Sequence, residues 1–249
     1  MDVAEFANRI SFRAFKPELE SLERWRWKGL SHWLGLADLS LEVANTKLPT
    51  HGRELRRRIR PLLTIPRMST YAVGAIVNVG VAEMPPGSSF VNVGVWNGFT
   101  LLAGMAENGD RRSVGVDNFS EYGGPREAFL ARFESRRGKN DAFVDADYVE
   151  YFRSLHDGSP IGFYIYDGGH EYEDQVRGLE LAEPFFVPGS VVLVDDTNWD
   201  EVRAATLAFV GSRRGRFEIV CDRTTAANGH PTLWNGIMLL RRTAVGFDG

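Results

Sequence analysis

Asp167, Asp195 and Asp196 each close a short apolar run, and the second and third lie 28 and 29 residues beyond the first. If those runs are neighbouring strands, their ends bring three carboxylates into one cleft. Uncompensated carboxylates repel one another, so a cation is the natural neutraliser. An all-oxygen ligand set favours Mg²⁺, with Mn²⁺ or Ca²⁺ as alternatives, and argues against zinc. The plainer alternative makes Asp195 a helix cap and Asp196 a surface residue. A second cluster lies upstream, in Gly94-Val95-Trp96-Asn97-Gly98-Phe99-Thr100. Gly94 and Gly98 permit a tight turn and close backbone approach to a ligand. Asn97 and Thr100 are the turn's polar side chains, and the helix expected after it presents unpaired amides. The spacing is G-x-x-x-G, not the dinucleotide G-x-G-x-x-G. Asp117 follows nineteen residues after Gly98, where a carboxylate accepts ribose hydroxyls; its alternative is a turn or capping residue.

These residues need a scaffold that places strand ends side by side. From Phe90 onward, FVNVGV (90–95), SVGVD (113–117), DAFVD (141–145), IGFYIYD (161–167) and SVVLVD (190–195) read as buried strands. Segments of helical length separate them, for example 125–137 and 171–186. That alternation predicts a parallel sheet covered on both faces. FEIVC (217–221) and GIMLL (236–240) are joined by a loop with no room for a long helix, which predicts a closing antiparallel pair. In such sheets ligands sit beyond the carboxyl ends of the strands. The places to look are therefore 94–100, Asp117, 145–148, 167–170 and 195–198.

The first 86 residues have a different texture. Leu19, Leu22, Leu30, Trp33 and Leu34 recur at helical steps, and Trp25 and Trp27 fall on different faces of one helix. These aromatics read as core packing of a helical layer, with a lid or dimer surface as the alternative. Arg53, Arg56, Arg57, Arg58 and Arg60 read as a solvated helix face rather than a phosphate site. The mostly apolar run 71–82 is too short to cross a bilayer and reads as buried. Pro85-Pro86-Gly87 is the strongest break. We expect a helical extension over 1–86 and an α/β domain over 87–249.

FVNVGVWNGFT followed by SVGVD resembles the first two motifs of class I S-adenosylmethionine-dependent methyltransferases, and the likeness runs on through YDGGHEYEDQ and PGSVVLVDD. The lead-in MSTYAVGAIVNVGVAEMPPGS is similar to that of antibiotic sugar O-methyltransferases. The resemblance implies a seven-stranded Rossmann-like sheet, mostly parallel with an antiparallel last strand. It places S-adenosyl-L-methionine over the glycine turn and against Asp167, with Asp117 on the ribose and Asp147 or Tyr148 near the adenine. The family's acid two residues before the first glycine is Asn92 here, which can accept a hydrogen bond but carries no charge. The three aspartates resemble the metal site of catechol and macrolide sugar O-methyltransferases, in which a base stands three residues after the first aspartate. That position is His170. Methyl transfer to oxygen needs the acceptor proton removed, and a nearby cation keeps imidazole neutral and basic. The alternative for His170 is a helix cap. His32, His51, His156 and His230 read as structural, with His230 bordering the acceptor pocket. Trp199, Asn198 and Tyr172 are candidates for its wall, packing being their alternative.

Composition sets the outer bounds. The chain has 249 residues, 43% of them hydrophobic and 25% charged, and a formal net charge of -4. One large core fits this length, and no global field draws it to nucleic acid or an anionic membrane. The lone Cys221 excludes an internal disulfide and, with no apolar leader at the N-terminus, suggests the cytoplasm. The expected partner is a small-molecule acceptor with a hydroxyl, a sugar before a phenol or polyketide, and the chain forming a homo-oligomer is an open expectation. A nicotinamide oxidoreductase would need a third glycine in the turn and a proton-donating Tyr/Lys pair, neither of which is found. A metal-dependent hydroxylase or hydrolase would use the same carboxylates, and a non-catalytic protein would bind adenosylmethionine without turnover.

Overall fold

The computed structural model describes residues 1–19 and 38–244. Leu22, Trp25, Trp27, Leu30, His32, Trp33 and Leu34 lie outside the described residues. Near the N-terminus, β1 (Ser11–Phe12) and β2 (Thr46–Lys47) form a separate antiparallel pair. The scaffold is a seven-stranded sheet of β3 (Ser89–Val93), β4 (Arg112–Asp117), β5 (Asp141–Asp145), β6 (Ile161–Tyr166), β7 (Phe186–Asp195), β8 (Phe217–Arg223) and β9 (Ile237–Arg242). Its spatial order is β5-β4-β3-β6-β7-β9-β8. Strands β3 to β7 run parallel, and β9 runs antiparallel to both β7 and β8.

Alternation along the strands explains why both faces are covered. Phe90, Phe163, Ile165, Val191 and Leu193 belong to one buried cluster. Their neighbours Val91, Val93, Tyr164, Tyr166, Val192 and Val194 belong to the other. With apolar side chains pointing both ways, the strands read as continuous apolar runs rather than half-polar ones. Helices Tyr172–Ala182 and Asp200–Ser212 supply Leu179 and Val202 to the second cluster.

The other face is covered partly by the N-terminal region. Helix Tyr71–Glu83 buries residues around most of its circumference, as a helix packed on several sides does. Thr70 caps it, accepting the Val73 amide while its hydroxyl donates to the Thr232 carbonyl. Helix Val3–Arg9 adds Phe6, and Gly52–Ile59 adds Leu55 and Ile59. Side chains from both sides of the Pro85 break thus share one cluster. The arginine run behaves as a polar face: Arg53, Arg56, Arg57 and Arg60 are exposed while Leu55 and Ile59 are buried. Arg57 and Arg58 both pair with Glu107.

Strand order reverses between β3 and β6, so the crevice opens at their carboxyl ends. There the Asp167 amide donates to the Val93 carbonyl at 3.1 Å. Gly94 follows at φ +78°, and a Cβ on it would lie 1.7 Å from the Asp167 carbonyl oxygen. Glycine is required at this crossing because the two chains touch.

Candidate active site

A cleft of about 610 Å³ lies over the ends of β3, β4, β5, β6 and β7. Its walls include Gly94, Asp117, Asp147, Tyr148, Asp167 and His170. Asp196 and Trp199 close the side nearest β7, and Asn228, Gly229, Trp234 and Asn235 come from the β8–β9 loop. Among the described residues, seven non-glycine positions have positive φ, and five of them line this cleft: Trp96, Phe119, Tyr122, Asp196 and Trp234. Left-handed backbone is costly for such side chains and persists where surrounding structure enforces it, commonly at functional sites.

The residues expected to bind a cofactor divide into two groups. Asp117 ends β4, accepting the Trp96 amide at 2.8 Å on Oδ2 and the Phe119 amide at 2.6 Å on Oδ1. These bonds fix the carboxylate at the wall. Asp147 caps the next short helix through the Val149 amide, and the Tyr148 hydroxyl donates to Asp174 Oδ1 at 3.0 Å. Three residues expected at the cofactor do not reach the wall. Asn97 is buried and accepts from Arg132 at 2.8 Å. Gly98, at φ +93°, makes room for the Phe129 ring, which would lie 2.8 Å from a Cβ there. Thr100 sits on the first turn of helix Phe99–Met105 and donates to Asn92 Oδ1 at 2.7 Å. Its partner Asn92 is fully buried on β3, so the position taken by an acid in the resembling family is here half of an internal hydrogen bond. Trp96 was not foreseen. It lines the cleft, and its indole N–H donates to the Tyr122 carbonyl at 3.0 Å, tying the 118–124 segment to the glycine turn.

Toward β7, Asp167, His170 and Asp196 each direct one ligand atom into a group within 4.8 Å of one another. His170 Nε2 lies 2.7 Å from Asp196 Oδ2 and 3.9 Å from Asp167 Oδ1. The shorter contact is an ion pair when the imidazole is protonated. A cation among this nitrogen and these carboxylate oxygens would take the place of that proton. The His170 ring stacks on Trp199 with centroids 5.4 Å apart and planes 20° from parallel. Asn235 Nδ2 donates to Asp196 Oδ1 at 2.5 Å, fixing the other oxygen toward the histidine.

Asp195 is placed differently from its neighbour. Its carboxylate is buried and accepts the Asp196 amide at 3.0 Å, and it is not part of the converging group. One residue further along the chain, the positive φ of Asp196 turns that side chain into the cleft instead.

Electrostatics follow from this crowding. Burial, then the facing Asp196 and Asp167, raise Asp195 well above the ordinary carboxylate value. Burial and Asp196 also raise Asp167, with His170 opposing. The Asp196 contact raises His170 above the ordinary imidazole value, against the effect of burial. A divalent cation among these groups reverses all three tendencies, favouring carboxylates and neutral imidazole.

The remaining expected wall residues separate cleanly. Trp199 lines the cleft. Asn198 instead braces the β8–β9 loop, donating to the Thr225 carbonyl and hydroxyl at 2.9 Å, and Tyr172 lies on the surface. His230 is buried, bonded to Thr232 and to the Leu19 carbonyl, while its neighbours Asn228 and Gly229 reach the cleft. His156 is packed against Tyr151 and Phe185.

Residues 91–197 match the family model described as a methyltransferase domain. That segment is similar to a methyltransferase domain. The matched segment runs from β3 to the turn after β7 and holds the glycine turn, Asp117, Asp147, Asp167, His170 and Asp196. Among solved structures, the O-methyltransferase TomG from Streptomyces achromogenes, involved in tomaymycin synthesis and in complex with SAM, is similar to this chain with a TM-score of 0.56. It is 15% identical, with 89% of this chain and 99% of that chain covered. A Bacillus cereus O-methyltransferase in complex with SAH gives 0.52 at 11% identity, covering 78% and 93%. A Corynebacterium glutamicum protein gives 0.56 at 13% identity, covering 89% and 99%. At these identities the likeness is one of fold. No curated protein matches the sequence. No described helix is long and apolar enough to cross a membrane.

Proposed function

We propose that this chain transfers the methyl group of S-adenosyl-L-methionine to a hydroxyl oxygen of a small molecule, a sugar hydroxyl before a phenolic one. The observation that carries the reading is the convergence of His170 Nε2 with Asp167 and Asp196 carboxylates in the cleft over the strand ends of the segment similar to a methyltransferase domain. Asp117 is the ribose ligand in this reading, with Asp147 and Tyr148 at the adenine end. TomG and the Bacillus cereus protein, both O-methyltransferases and solved with SAM and SAH, support the cofactor and the oxygen acceptor.

The same cluster fits a divalent cation, Mg²⁺ before Mn²⁺ or Ca²⁺. Asp167 and Asp196 would hold it, with Asp195 joining only if its carboxylate leaves the Asp196 amide. Bound there, the ion would lower the pKa of an acceptor hydroxyl and fix its oxygen. With the imidazolium proton displaced by the cation, His170 would receive the acceptor proton at Nε2, its ring held by Trp199. Trp96 and Trp199 keep the cleft partly apolar, which limits competing water.

A second reading is favoured by the same distances: His170 as the third ligand of an Asp-His-Asp set, with bulk water taking the proton. Replacement of His170 separates them. A base leaves metal affinity nearly intact, whereas a ligand does not. The test of the function itself is mass-spectrometric detection of bound cofactor after purification, then a hydroxyl-acceptor screen with and without EDTA. Cofactor binding with no methyl transfer to any hydroxyl would overturn it.

A further inference from the structure

The cleft is strongly acidic. Among the described residues its wall carries six carboxylates, Asp117, Glu121, Asp147, Asp167, Asp174 and Asp196, and neither lysine nor arginine. Four are tied to protein donors: Asp117 to two backbone amides, Asp147 to one, Asp174 to the Tyr148 hydroxyl and Asp196 to Asn235. Glu121 is different. Its side chain is exposed and has no hydrogen-bond or ion-pair partner among the described residues, yet its charge is felt at His170. Beside it Tyr122 is 57% exposed, and across the cleft Trp199 is 46% exposed.

Charge balance then constrains the acceptor. A divalent cation contributes two positive charges, and adenosylmethionine, with sulfonium, ammonium and carboxylate, contributes one. Against six carboxylates and a neutral His170, three negative charges remain. A cleft lined by one sign of charge concentrates the opposite sign and repels its own. A phosphorylated or carboxylated acceptor adds to the imbalance, and a neutral one leaves it. Exposed aromatic rings beside an unpaired carboxylate are suited to an ammonium group.

We propose that the acceptor is a hydroxyl compound that also carries a protonated amine, received at the rim by Glu121 beside Tyr122 and Trp199. This rests on the O-methyltransferase reading and names its substrate class.

The test uses matched probes that differ only in charge: glucosamine against N-acetylglucosamine, and tyramine against N-acetyltyramine, with glucose 6-phosphate as the anionic control. Binding is measured calorimetrically with S-adenosylhomocysteine and Mg²⁺ present. The amine member of a pair should bind about tenfold more tightly, as one exposed charge pair plus one ring contact supplies. High salt should shrink that ratio, and Glu121→Gln should bring it within about threefold of unity. Equal or tighter binding of the N-acetyl member, competition by glucose 6-phosphate, or failure of both amines to bind overturns the proposal. The atom methylated is read separately by mass spectrometry. A persistent amine preference with the methyl on nitrogen, or on no probe, counts against oxygen transfer and leaves the charge selectivity standing.

Discussion

His170 Nε2 stands 2.7 Å from Asp196 Oδ2, and the two residues come from different strand ends, β6 and β7, that only the parallel sheet brings together. That contact makes His170 the residue on which the two mechanistic readings divide. As a general base its removal costs about 10²–10⁴ in rate. His170→Ala should lower kcat by that order while Mg²⁺ dependence changes little. A large rise in the Mg²⁺ concentration needed, measured by titrating activity and by calorimetry, would make it a ligand instead.

Asp196 presents one oxygen to Asn235 and the other to His170. Asp196→Asn keeps the shape and removes the charge. Metal affinity, measured by titrating the apoprotein with Mn²⁺, should fall at least tenfold. Unchanged affinity would remove Asp196 from the metal site.

At the other end of the cleft, Asp117 is held by the Trp96 and Phe119 amides. Asp117→Asn should weaken adenosylmethionine binding roughly tenfold to a hundredfold, because a hydrogen bond to a charged group contributes about 1.5–3 kcal/mol. The Asn97→Ala and Thr100→Ala variants should affect stability before cofactor affinity, since both side chains bond protein partners away from the wall. Calorimetric titration beside thermal melts tests the contrast. A larger affinity loss for Thr100→Ala than for Asp117→Asn would reverse the assignment.

Asp195 gives a pH prediction. Its folded pKa is raised by burial and by Asp196 and Asp167, so above about pH 4 the native state binds more protons here than the unfolded state does. Stability from this group therefore falls as pH rises through the folded value. In EDTA, Asp195→Asn should match the native protein's Tm near pH 4 and exceed it at pH 8. A lower Tm for the variant at pH 8 would mean that the carboxylate stabilises the metal-free protein.

Much of this arrangement was legible in the sequence, for physical reasons. The central strands, covered on both faces, show as apolar runs, and the edge strands β5 and β8 show as short apolar stretches, although β7 begins at Phe186 and not at 190. Glycine at 94 is dictated by the backbone crossing with Asp167, and strand-ending carboxylates follow from topology. What escaped lies in side-chain direction. Asp195 and Asp196 are adjacent and chemically identical, and only the positive φ of Asp196 separates a cleft residue from a buried one. Thr100 and Asn97 looked like ligand-facing polar groups, but Asn92 and Arg132 claim them, pairings that no local spacing encodes. The reach of Trp96 toward Tyr122, and of Asn235 back to Asp196, depends on loops whose course is set by tertiary contacts.

The central claim is transfer of methyl to oxygen. Purified protein is incubated with S-adenosylmethionine bearing a deuterated methyl group, Mg²⁺ and a panel of sugar and phenolic hydroxyl acceptors, and the products are located by tandem mass spectrometry. The account predicts a deuterated methyl ether on one acceptor class, lost in EDTA and restored by Mg²⁺. Cofactor bound in the cleft with no ether formed on any acceptor, or the label found only on nitrogen or carbon, would contradict it.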